Sequence, residues 1–376
     1  MDSSTIVAIS DAHLGYRHRF SLQRLKDYKN AFEDAITKAK KLNPKLWIFG
    51  GDLLHHSRPD SLSLRYVVRN LMDIAKDAPV IVAIGNHETE GRLSTTYPLL
   101  YEDISKNIYV LSTNREKVEV EVGGKKIIVH GFEFIRNRKI AEDELKKIGE
   151  RAKKIQEEER GKEDKAIQIL LLHQALEYYL SPFEISISTL RSVAPFFDLI
   201  LLGHVHKHQR IKEIWDITPA YYIGSSERIS FNEAENTTGF MVFKNFKFDE
   251  PEFIPTNSSP MRVIHEKLGK LNPSSLNELI KRKIMENRDV KLLQLNVEVE
   301  LEGNLLEVNK HWNPGDWGFT VLDVNITPKF EDKLIALKRF EINEEELREY
   351  LRKSGRFNEE ELIETCVRLF QEYGGS

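Results

Sequence analysis

Polar residues with metal-binding side chains recur directly after short apolar runs. They stand in five blocks: Asp11-Ala12-His13, Gly51-Asp52, Gly85-Asn86-His87, His173-Gln174 and Gly203-His204-Val205-His206. Imidazole nitrogens, carboxylate oxygens and an amide oxygen form a mixed donor set without thiolate, which suits Mn, Fe or Zn. A lone histidine is more often an ordinary surface or hydrogen-bonded residue. Its repetition after five apolar runs favours one shared metal site.

The blocks contain more candidate ligands than one ion takes. The seven are Asp11, His13, Asp52, Asn86, His173, His204 and His206. A carboxylate can bridge two ions, so the economical arrangement is a pair of ions about 3.5–4 Å apart. Such a pair hydrolyses phosphate esters by stabilising the charge that builds on the phosphate oxygens. Glycine beside three of the blocks allows tight turns and close approach of the backbone to a ligand.

The elements that must position these residues alternate between strand and helix. We predict strands from Ile6 to Ser10, Leu46 to Gly50 and Val80 to Ile84, separated by helices from Leu22 to Leu42 and Leu62 to Lys76. This βαβαβ order predicts parallel strands beneath covering helices. The carboxyl ends of such strands open onto one crevice, which would gather the polar blocks there.

Strands are shorter and more closely spaced further along the chain. A hairpin is predicted from Val118 to Val122 and Lys126 to Val129, joined by Gly123-Gly124. The charged stretch 136–165 is read as a solvated helix, with Ile140, Leu145, Ile148 and Ala152 on its apolar side. Further strands are expected at Ile167 to Leu172, Leu199 to Leu202, Ala220 to Ile223 and Phe240 to Phe243. The predicted fold class is α/β, a two-sheet sandwich flanked by helices.

The texture of the sequence changes after Pro251, where prolines punctuate the chain. We therefore predict a first domain over 1–250, a small α/β cap domain over 251–340, a helical pair over 341–373 and a possible linker remnant at 374–376. The cap would contain a helix from Ser275 to Met285 and strands from Lys291 to Leu301 and Phe319 to Ile326.

Composition restricts the class of protein. The 376 residues carry a net charge of −4, so any surface that binds nucleic acid must be local. A single cysteine, Cys366, excludes an intrachain disulfide and a cysteine-based metal site, which favours an intracellular compartment. The sequence shows no apolar run long enough to span a membrane and no signal-peptide pattern, so we expect an unexported chain.

The polar blocks resemble the motifs of the calcineurin-like metallophosphoesterases in order and spacing. The matching residues are Asp11-x-His13, Gly51-Asp52, Gly85-Asn86-His87-Glu88, His173 and Gly203-His204-x-His206. The resemblance implies that Asp11, His13, Asp52 and His206 hold one ion, while Asp52, Asn86, His173 and His204 hold the other. It implies a general-acid role for His87, which suits the near-neutral pKa of imidazole.

Three longer motifs resemble the Mre-eleven/SbcD repair nucleases within that superfamily. They are Asp11-Ala12-His13-Leu14-Gly15-Tyr16, Gly51-Asp52-Leu53-Leu54-His55 and Tyr222-Ile223-Gly224-Ser225-Ser226-Glu227-Arg228. The resemblance implies a Mn-dependent double-strand 3'-5' exonuclease and single-strand endonuclease with two Mn²⁺ per chain. It also implies that His55 positions the phosphate. Glu88 departs from the pattern, since many relatives carry Asp, and the chain after 250 matches by layout only.

Local cations and apolar stripes suggest partners. Arg17, His18, Arg19 and Arg58 follow the first two motifs and could contact DNA phosphates, although each could equally be an ordinary surface residue. The resemblance implies a homodimer, for which the helix after the second motif offers Leu62, Leu64, Val68 and Leu71. The same stripe is equally compatible with a plain core face.

Two short helices with capping boxes are predicted at the end of the chain, starting at Asn343 and Asn358. Their apolar stripes comprise Leu347, Tyr350, Leu351, Leu362, Cys366, Leu369 and Phe370. Helices this short do not bury such stripes on each other alone, so they pack on the cap or dock on a partner. The resemblance implies that the partner is a Rad-fifty/SbcC-type ABC ATPase.

Two other functions remain open from the sequence. A different dinuclear metallophosphoesterase could use the same centre on small phosphodiesters or phosphoproteins, because a fold alone does not select a substrate. A non-catalytic scaffold could keep the fold as a binding module. The seven candidate ligands argue against the scaffold, and the basic residues near the motifs argue against a small substrate.

Overall fold

The computed structural model describes residues 4–89, 97–304, 307–309, 311–329 and 364–365. Its strands, in chain order, are β1 (Ile6–Ile9), β2 (Leu46–Phe49), β3 (Val80–Ala83), β4 (Ile108–Leu111), β5 (Lys117–Val122), β6 (Lys125–His130), β7 (Ile167–His173), β8 (Leu199–Gly203), β9 (Gln209–Arg210), β10 (Ala220–Tyr222), β11 (Gly239–Phe243), β12 (Glu252–Pro255), β13 (Met261–Leu271), β14 (Leu292–Leu301) and β15 (Val321–Lys329). Its α-helices are α1 (Leu22–Lys40), α2 (Ser61–Ile74), α3 (Leu100–Ile104), α4 (Arg138–Glu158), α5 (Ile187–Val193), α6 (Pro273–Glu286) and α7 (Pro314–Trp317).

Two six-stranded sheets form a sandwich over residues 4–255. The first sheet has the order β12-β11-β1-β2-β3-β4, and the second has the order β5-β6-β7-β8-β10-β9. Strands β1 to β4 are parallel, as the βαβαβ pattern predicts, while β11 and β12 close the edge in antiparallel fashion. The prediction of a two-sheet α/β sandwich is confirmed.

Alternation along the strands builds a layered core. On β1, Ile6 and Ala8 face the second sheet, whereas Val7 and Ile9 face the layer of α1 and α2. The outer face of the second sheet packs on α4 and α5. Because the central strands are buried on both faces, they read as continuous apolar runs rather than as alternating ones.

Helix α4 accounts for the charged stretch 136–165. Ala141, Leu145, Ile148 and Ala152 are fully buried against the second sheet. Ile140, which the sequence placed on the same stripe, is 53% exposed. It occupies the helix position just past that face, so the predicted stripe was one residue too wide.

The cap consists of residues 261–329, with the three parallel strands β13-β14-β15 and helix α6 beside them. The predicted helix and the two predicted strands of the cap are present within a few residues. The predicted boundary at 250 falls too early, because β12 pairs with β11 and keeps the chain in the sandwich to Pro255. Strand β13 was not predicted, since its residues are half-buried or exposed and carry little apolar alternation.

The helical pair proposed for 341–373 lies outside the described residues, apart from positions 364–365. This applies to every predicted partner-binding residue: Leu347, Tyr350, Leu351, Leu362, Cys366, Leu369 and Phe370. In the part of the chain that is described, no helix combines the length and the apolar character needed to cross a membrane.

Candidate metal centre and nuclease site

The strand ends of both sheets bring the seven candidate ligands together. Asp11 and His13 follow β1, Asp52 follows β2, Asn86 follows β3, His173 ends β7, and His204 and His206 follow β8. The parallel register ends β1 level with β2 and β7 level with β8. The loops behind these strands therefore meet at one edge of the sandwich, as expected for parallel strands.

Asp11, His13 and His206 form a first group whose donor atoms all lie within 4.8 Å of one another. The Nε2 atoms of His13 and His206 are 3.0 Å apart. Asp11 Oδ1 lies 3.6 Å from His206 Nε2. Three donors converging at this spacing leave a common point that a small cation could occupy.

Asp52, His173 and His204 form a second group with the same spacing. Asn86 joins it, since its Oδ1 lies 2.8 Å from His204 Nδ1 and 3.2 Å from His173 Nε2. Asp52 Oδ2 is 3.3 Å from His173 Nε2 in this group and 3.9 Å from His13 Nε2 in the first group. Asp52 is therefore the carboxylate between the two groups.

The backbone is strained at four of these ligands. Asp11, His13, Asp52 and His204 have φ of 51°, 46°, 50° and 80°, in the left-handed region that residues with a side chain rarely adopt. Such strain persists where the surrounding structure holds it in place, and it concentrates at functional sites. Gly85 allows the close packing, because a Cβ there would lie 2.0 Å from Asp52 Oδ1.

Two of the histidines are oriented through their other ring nitrogen. His173 Nδ1 donates a hydrogen bond to the Gly50 carbonyl at 2.7 Å. His206 Nδ1 lies 2.9 Å from the Glu233 carboxylate, which accepts its proton. Both rings thus turn Nε2 toward the other ligands, the arrangement usual for metal-binding histidines. Glu233 was not predicted, because no local spacing links it to His206.

Glu88 fixes the loops that carry the second group. Its buried carboxyl accepts hydrogen bonds from the backbone N–H groups of Gly85, Asp52 and Leu53 at 2.9–3.1 Å and from the Tyr97 hydroxyl at 3.2 Å. Burial, with the nearby Asp52 carboxylate, raises the pKa of Glu88 to about 7. The departure from Asp at this position therefore leaves a side chain that reaches both loops.

The electrostatics suit a cation. Burial and the neighbouring imidazoles hold the pKa of His13 well below its usual value and lower the pKa of His204 to about 3, so both rings are neutral donors. Burial acts against a charged His173, but Asp52 and Asp11 raise its pKa to about 9. The buried carboxylates thus draw in positive charge, which a divalent ion can supply instead of protons.

His55 and His87 stand beside the first group, with donor atoms within 4.8 Å of each other and of His13. The His87 backbone N–H donates to Asp52 Oδ1 at 3.0 Å, and its Nδ1 donates to the His55 carbonyl at 2.9 Å. His87 Nε2 is therefore the nitrogen left for chemistry. His55 Nδ1 lies 3.1 Å from His13 Nδ1, and burial, with His87 and His56 nearby, lowers the pKa of His55 to about 3.

The four residues predicted to contact DNA have different surroundings. Arg17 and Arg58 are exposed. Arg19 forms an ion pair with Asp323 of the cap at 2.6 Å. His18 is buried against Tyr16 and Phe231, and burial lowers its pKa. The expectation that His18 is a surface cation is wrong, because these aromatic neighbours cover its ring.

A cationic groove lies between α1 and α2 and was not recognised in the sequence. It has a volume of about 410 Å³ and opens at Leu14 and Gly15, directly after His13. The groove is lined by the five cations Arg17, Lys26, Lys29, Arg65 and Arg69 and one acid, Asp60. Four of these cations lie on the two helices, so only the packing of α1 against α2 assembles them.

The predicted dimer contacts divide between surface and core. Leu62 is 75% exposed, while Leu64 and Val68 are partly buried against the first sheet. Leu71 is fully buried in the chain's own core, so its assignment as a dimer contact is wrong. Met72 on α2 and Leu100 on α3 are exposed instead.

Comparison with known families places the fold and the site together. The family described as calcineurin-like phosphoesterase matches residues 4–208, which carry β1 to β8 and all seven candidate ligands. The chain belongs to the calcineurin-like phosphoesterase family. The predicted superfamily is confirmed, and this phosphoesterase domain carries the two His/Asp groups in which a divalent metal site is expected.

Individual relatives of this phosphoesterase share a name. The DNA double-strand break repair protein Mre11 of Methanocaldococcus jannaschii is 31% identical over 240 residues, which cover 61% of this chain and 58% of that protein. The protein of the same name from Archaeoglobus fulgidus is 28% identical over 273 residues, covering 65% and 58%. The chain thus spans less than two thirds of the length of these relatives. The predicted resemblance to the Mre-eleven nucleases is confirmed as a similarity.

Solved structures also resemble the chain at low identity. A dimetal phosphatase from Danio rerio aligns with 68% of this chain and 99% of its own, with a TM-score of 0.41 and 11% identity. The NAD nucleotidase of Haemophilus influenzae aligns with 67% of this chain and 49% of its own, with a TM-score of 0.40 and 14% identity.

Proposed function

We propose that this phosphoesterase is a DNA nuclease of double-strand-break repair, with Mn-dependent double-strand 3'-5' exonuclease and single-strand endonuclease activity. The observation that carries the proposal is the pair of ligand groups joined by Asp52, with His87 beside them. Relatives that bear the name of a DNA double-strand break repair protein support the choice of substrate. An intracellular setting, in cytoplasm or nucleoid, goes with that substrate.

Two Mn²⁺ ions would occupy the two groups. Asp11, His13, Asp52 and His206 would hold one ion, and Asp52, Asn86, His173 and His204 the other. The mixed nitrogen and oxygen donors, the absence of thiolate among them and the neutral state of His13 and His204 fit such ions. When bound, the pair supplies Lewis-acid stabilisation of phosphate charge and activates water.

The neighbouring histidines would divide two tasks. His87, with Nδ1 engaged by the His55 carbonyl, presents Nε2 to protonate the leaving oxygen as general acid. His55 stacks on His87 with ring centroids 4.4 Å apart and would position the phosphate. Its lowered pKa keeps the ring neutral, so it would act by hydrogen bonding rather than by charge.

The cationic groove favours DNA over a small diester. Its five cations begin at the loop that carries His13 and continue along α1 and α2. A small substrate needs no positive charge so far from the reaction, whereas a polymer's successive phosphates do. We propose that one strand follows this groove, with Arg17 and Arg58 at the rim.

DNA cleavage with Mn²⁺ is expected from the purified chain on end-labelled duplex and single-stranded DNA, and EDTA should abolish it. The paired change Arg65→Glu and Arg69→Glu should weaken DNA binding and reduce the dependence of binding on salt by about two phosphate contacts. Lys139→Glu, an exposed cation on α4 over the other sheet, is the control and should change neither quantity.

A generic chromogenic diester separates the alternatives in the same assay. The groove variant should cleave it like the unaltered chain, because the substrate is too small to reach the groove. Cleavage of the diester without cleavage of DNA would replace the proposal with a small-substrate phosphoesterase. Inactivity on both substrates with metal bound would favour a scaffold.

A homodimer is proposed through the exposed apolar residues of α2 and α3, which include Leu62, Met72 and Leu100. Two copies related by a twofold axis would bury this surface and place two sites along one DNA. Light scattering at micromolar concentration should give a dimer, and Met72→Glu should give a monomer. Met285→Glu, which changes an equally exposed methionine on α6, should remain dimeric. A monomer for the unaltered chain in low and high salt would contradict the assembly.

A Rad-fifty/SbcC-type ABC ATPase is the proposed partner. The support is the sequence of residues 341–373, whose apolar stripes match a helix-in-groove mode of recognition. These residues lie outside the described part of the chain, so the proposal depends on their sequence pattern.

A further inference from the structure

A short 3-10 segment, Phe231–Glu233, lies between the candidate metal centre and the cap. On one side, Glu233 Oε1 is 2.9 Å from His206 Nδ1, the ring nitrogen turned away from the other ligands. The second oxygen of the carboxylate accepts the backbone N–H of Ile229 at 2.9 Å. Glu233 is therefore held at both oxygens and fixes the plane of the His206 ring.

The other side of the segment packs into the cap. Phe231 is 7% exposed and forms a cluster with Leu292 at the start of β14 and Val321 at the start of β15. Met261 and Val263 of β13 pack against the same cluster. The first residue of the segment thus senses the position of all three cap strands, while its third residue holds a candidate metal ligand.

Polar contacts fix the cap at the same place. Arg228, just before the segment, donates to Ser258 Oγ at 2.9 Å, and Glu227 accepts the Ser259 N–H at 2.8 Å. Both serines belong to the link between β12 and β13. The contacts that seat the cap therefore converge on the loop that carries Glu233.

We propose that the cap positions His206 through Phe231 and Glu233, so that seating of the cap sets the metal affinity of the first ligand group. The inference rests on the proposed metal centre and adds positioning residues to it. Partners that orient a ligating histidine typically contribute about 10–100-fold to metal affinity. Displacing Phe231 would move the Glu233 backbone, and the His206 ring would lose its fixed orientation.

The test is calorimetric titration of the metal-stripped full-length chain with Mn²⁺, at a temperature well below unfolding. Glu233→Ala should weaken binding at one of two sites by about tenfold or more. Glu233→Gln should restore most of the affinity once its amide is oriented, because its oxygen still accepts from Nδ1. Phe231→Ala, which changes no atom near His206, should weaken the same site, and Phe231→Leu should largely preserve it.

Ile280→Val is the matched control, since it trims the cap core on α6 without altering the Phe231 cluster. It should bind Mn²⁺ like the unaltered chain. Normal binding by Phe231→Ala, with weakened binding by Glu233→Ala, would overturn the link to the cap. Normal binding by Glu233→Ala would overturn the positioning role altogether. An unaltered chain that binds no Mn²⁺ would instead remove the proposed metal centre.

Discussion

Asp52→Ala is expected to reduce DNA cleavage to the level seen with EDTA. The carboxylate lies between the two ligand groups, 3.3 Å from His173 Nε2 and 3.9 Å from His13 Nε2. Its Oδ1 also accepts the backbone N–H of His87. Removing it takes a donor from both proposed ions and a hydrogen bond from the general acid. End-labelled DNA in saturating Mn²⁺ provides the measurement, with metal counted by elemental analysis.

Asp73→Asn is the control for this substitution. Asp73 is an exposed aspartate on α2 that pairs with Lys40 and Lys76, far from the strand ends. Its variant should keep full activity and both ions. Wild-type cleavage by Asp52→Ala, or one ion in the metal-saturated unaltered chain, would refute the dinuclear centre.

His87→Gln is expected to lower cleavage of every phosphodiester by about 10²–10⁴-fold while both ions remain bound. The ring is not among the proposed ligands, and its Nδ1 is occupied by the His55 carbonyl. Glutamine can keep a hydrogen bond but does not deliver a proton as imidazolium does. Single-turnover rates and Mn²⁺ titration of the same preparation separate chemistry from binding.

His56→Gln is the matched control, an exposed histidine next to His55 with no assigned role. It should cleave like the unaltered chain. If His87→Gln loses Mn²⁺ along with activity, the ring is a ligand and the general-acid assignment fails. A loss confined to DNA, with the small diester still cleaved, would make His87 a substrate-binding residue instead.

The chemistry of the site could be predicted because it sits at strand ends. Each apolar run that forms a central strand is followed at once by its polar block, as at Ile9 and Asp11 or at Phe49 and Asp52. Parallel order then brings distant blocks together without any knowledge of side-chain packing. The same rule yields the two sheets and most of their strands.

The residues that the sequence did not reveal act across the fold. Glu88 holds the loop of Asp52, 36 positions earlier in the chain, and Glu233 holds His206, 27 positions earlier. No periodicity or motif connects such pairs, since the contact exists only after the sheets pack. The cationic groove was hidden for the same reason.

Burial explains the errors. Leu71 and Leu62 belong to one amphipathic helix, and the pattern alone does not say which apolar residue faces the sheet and which faces solvent. His18 was expected at the surface because histidine is polar, but Tyr16 and Phe231 cover its ring. In both cases tertiary neighbours decided what composition could not.

The two ligand groups draw on both sheets of the sandwich, since Asp11 and Asp52 follow strands of the first sheet while His173 and His206 follow strands of the second. An unfolded chain does not gather these donors, so a bound cation favours the folded state over the unfolded one. At a free ion concentration 100 times the dissociation constant, this linkage stabilises folding by about 2.7 kcal/mol for one site. The centre is thus a clasp as well as a catalyst, and sequences that weaken it also loosen the protein.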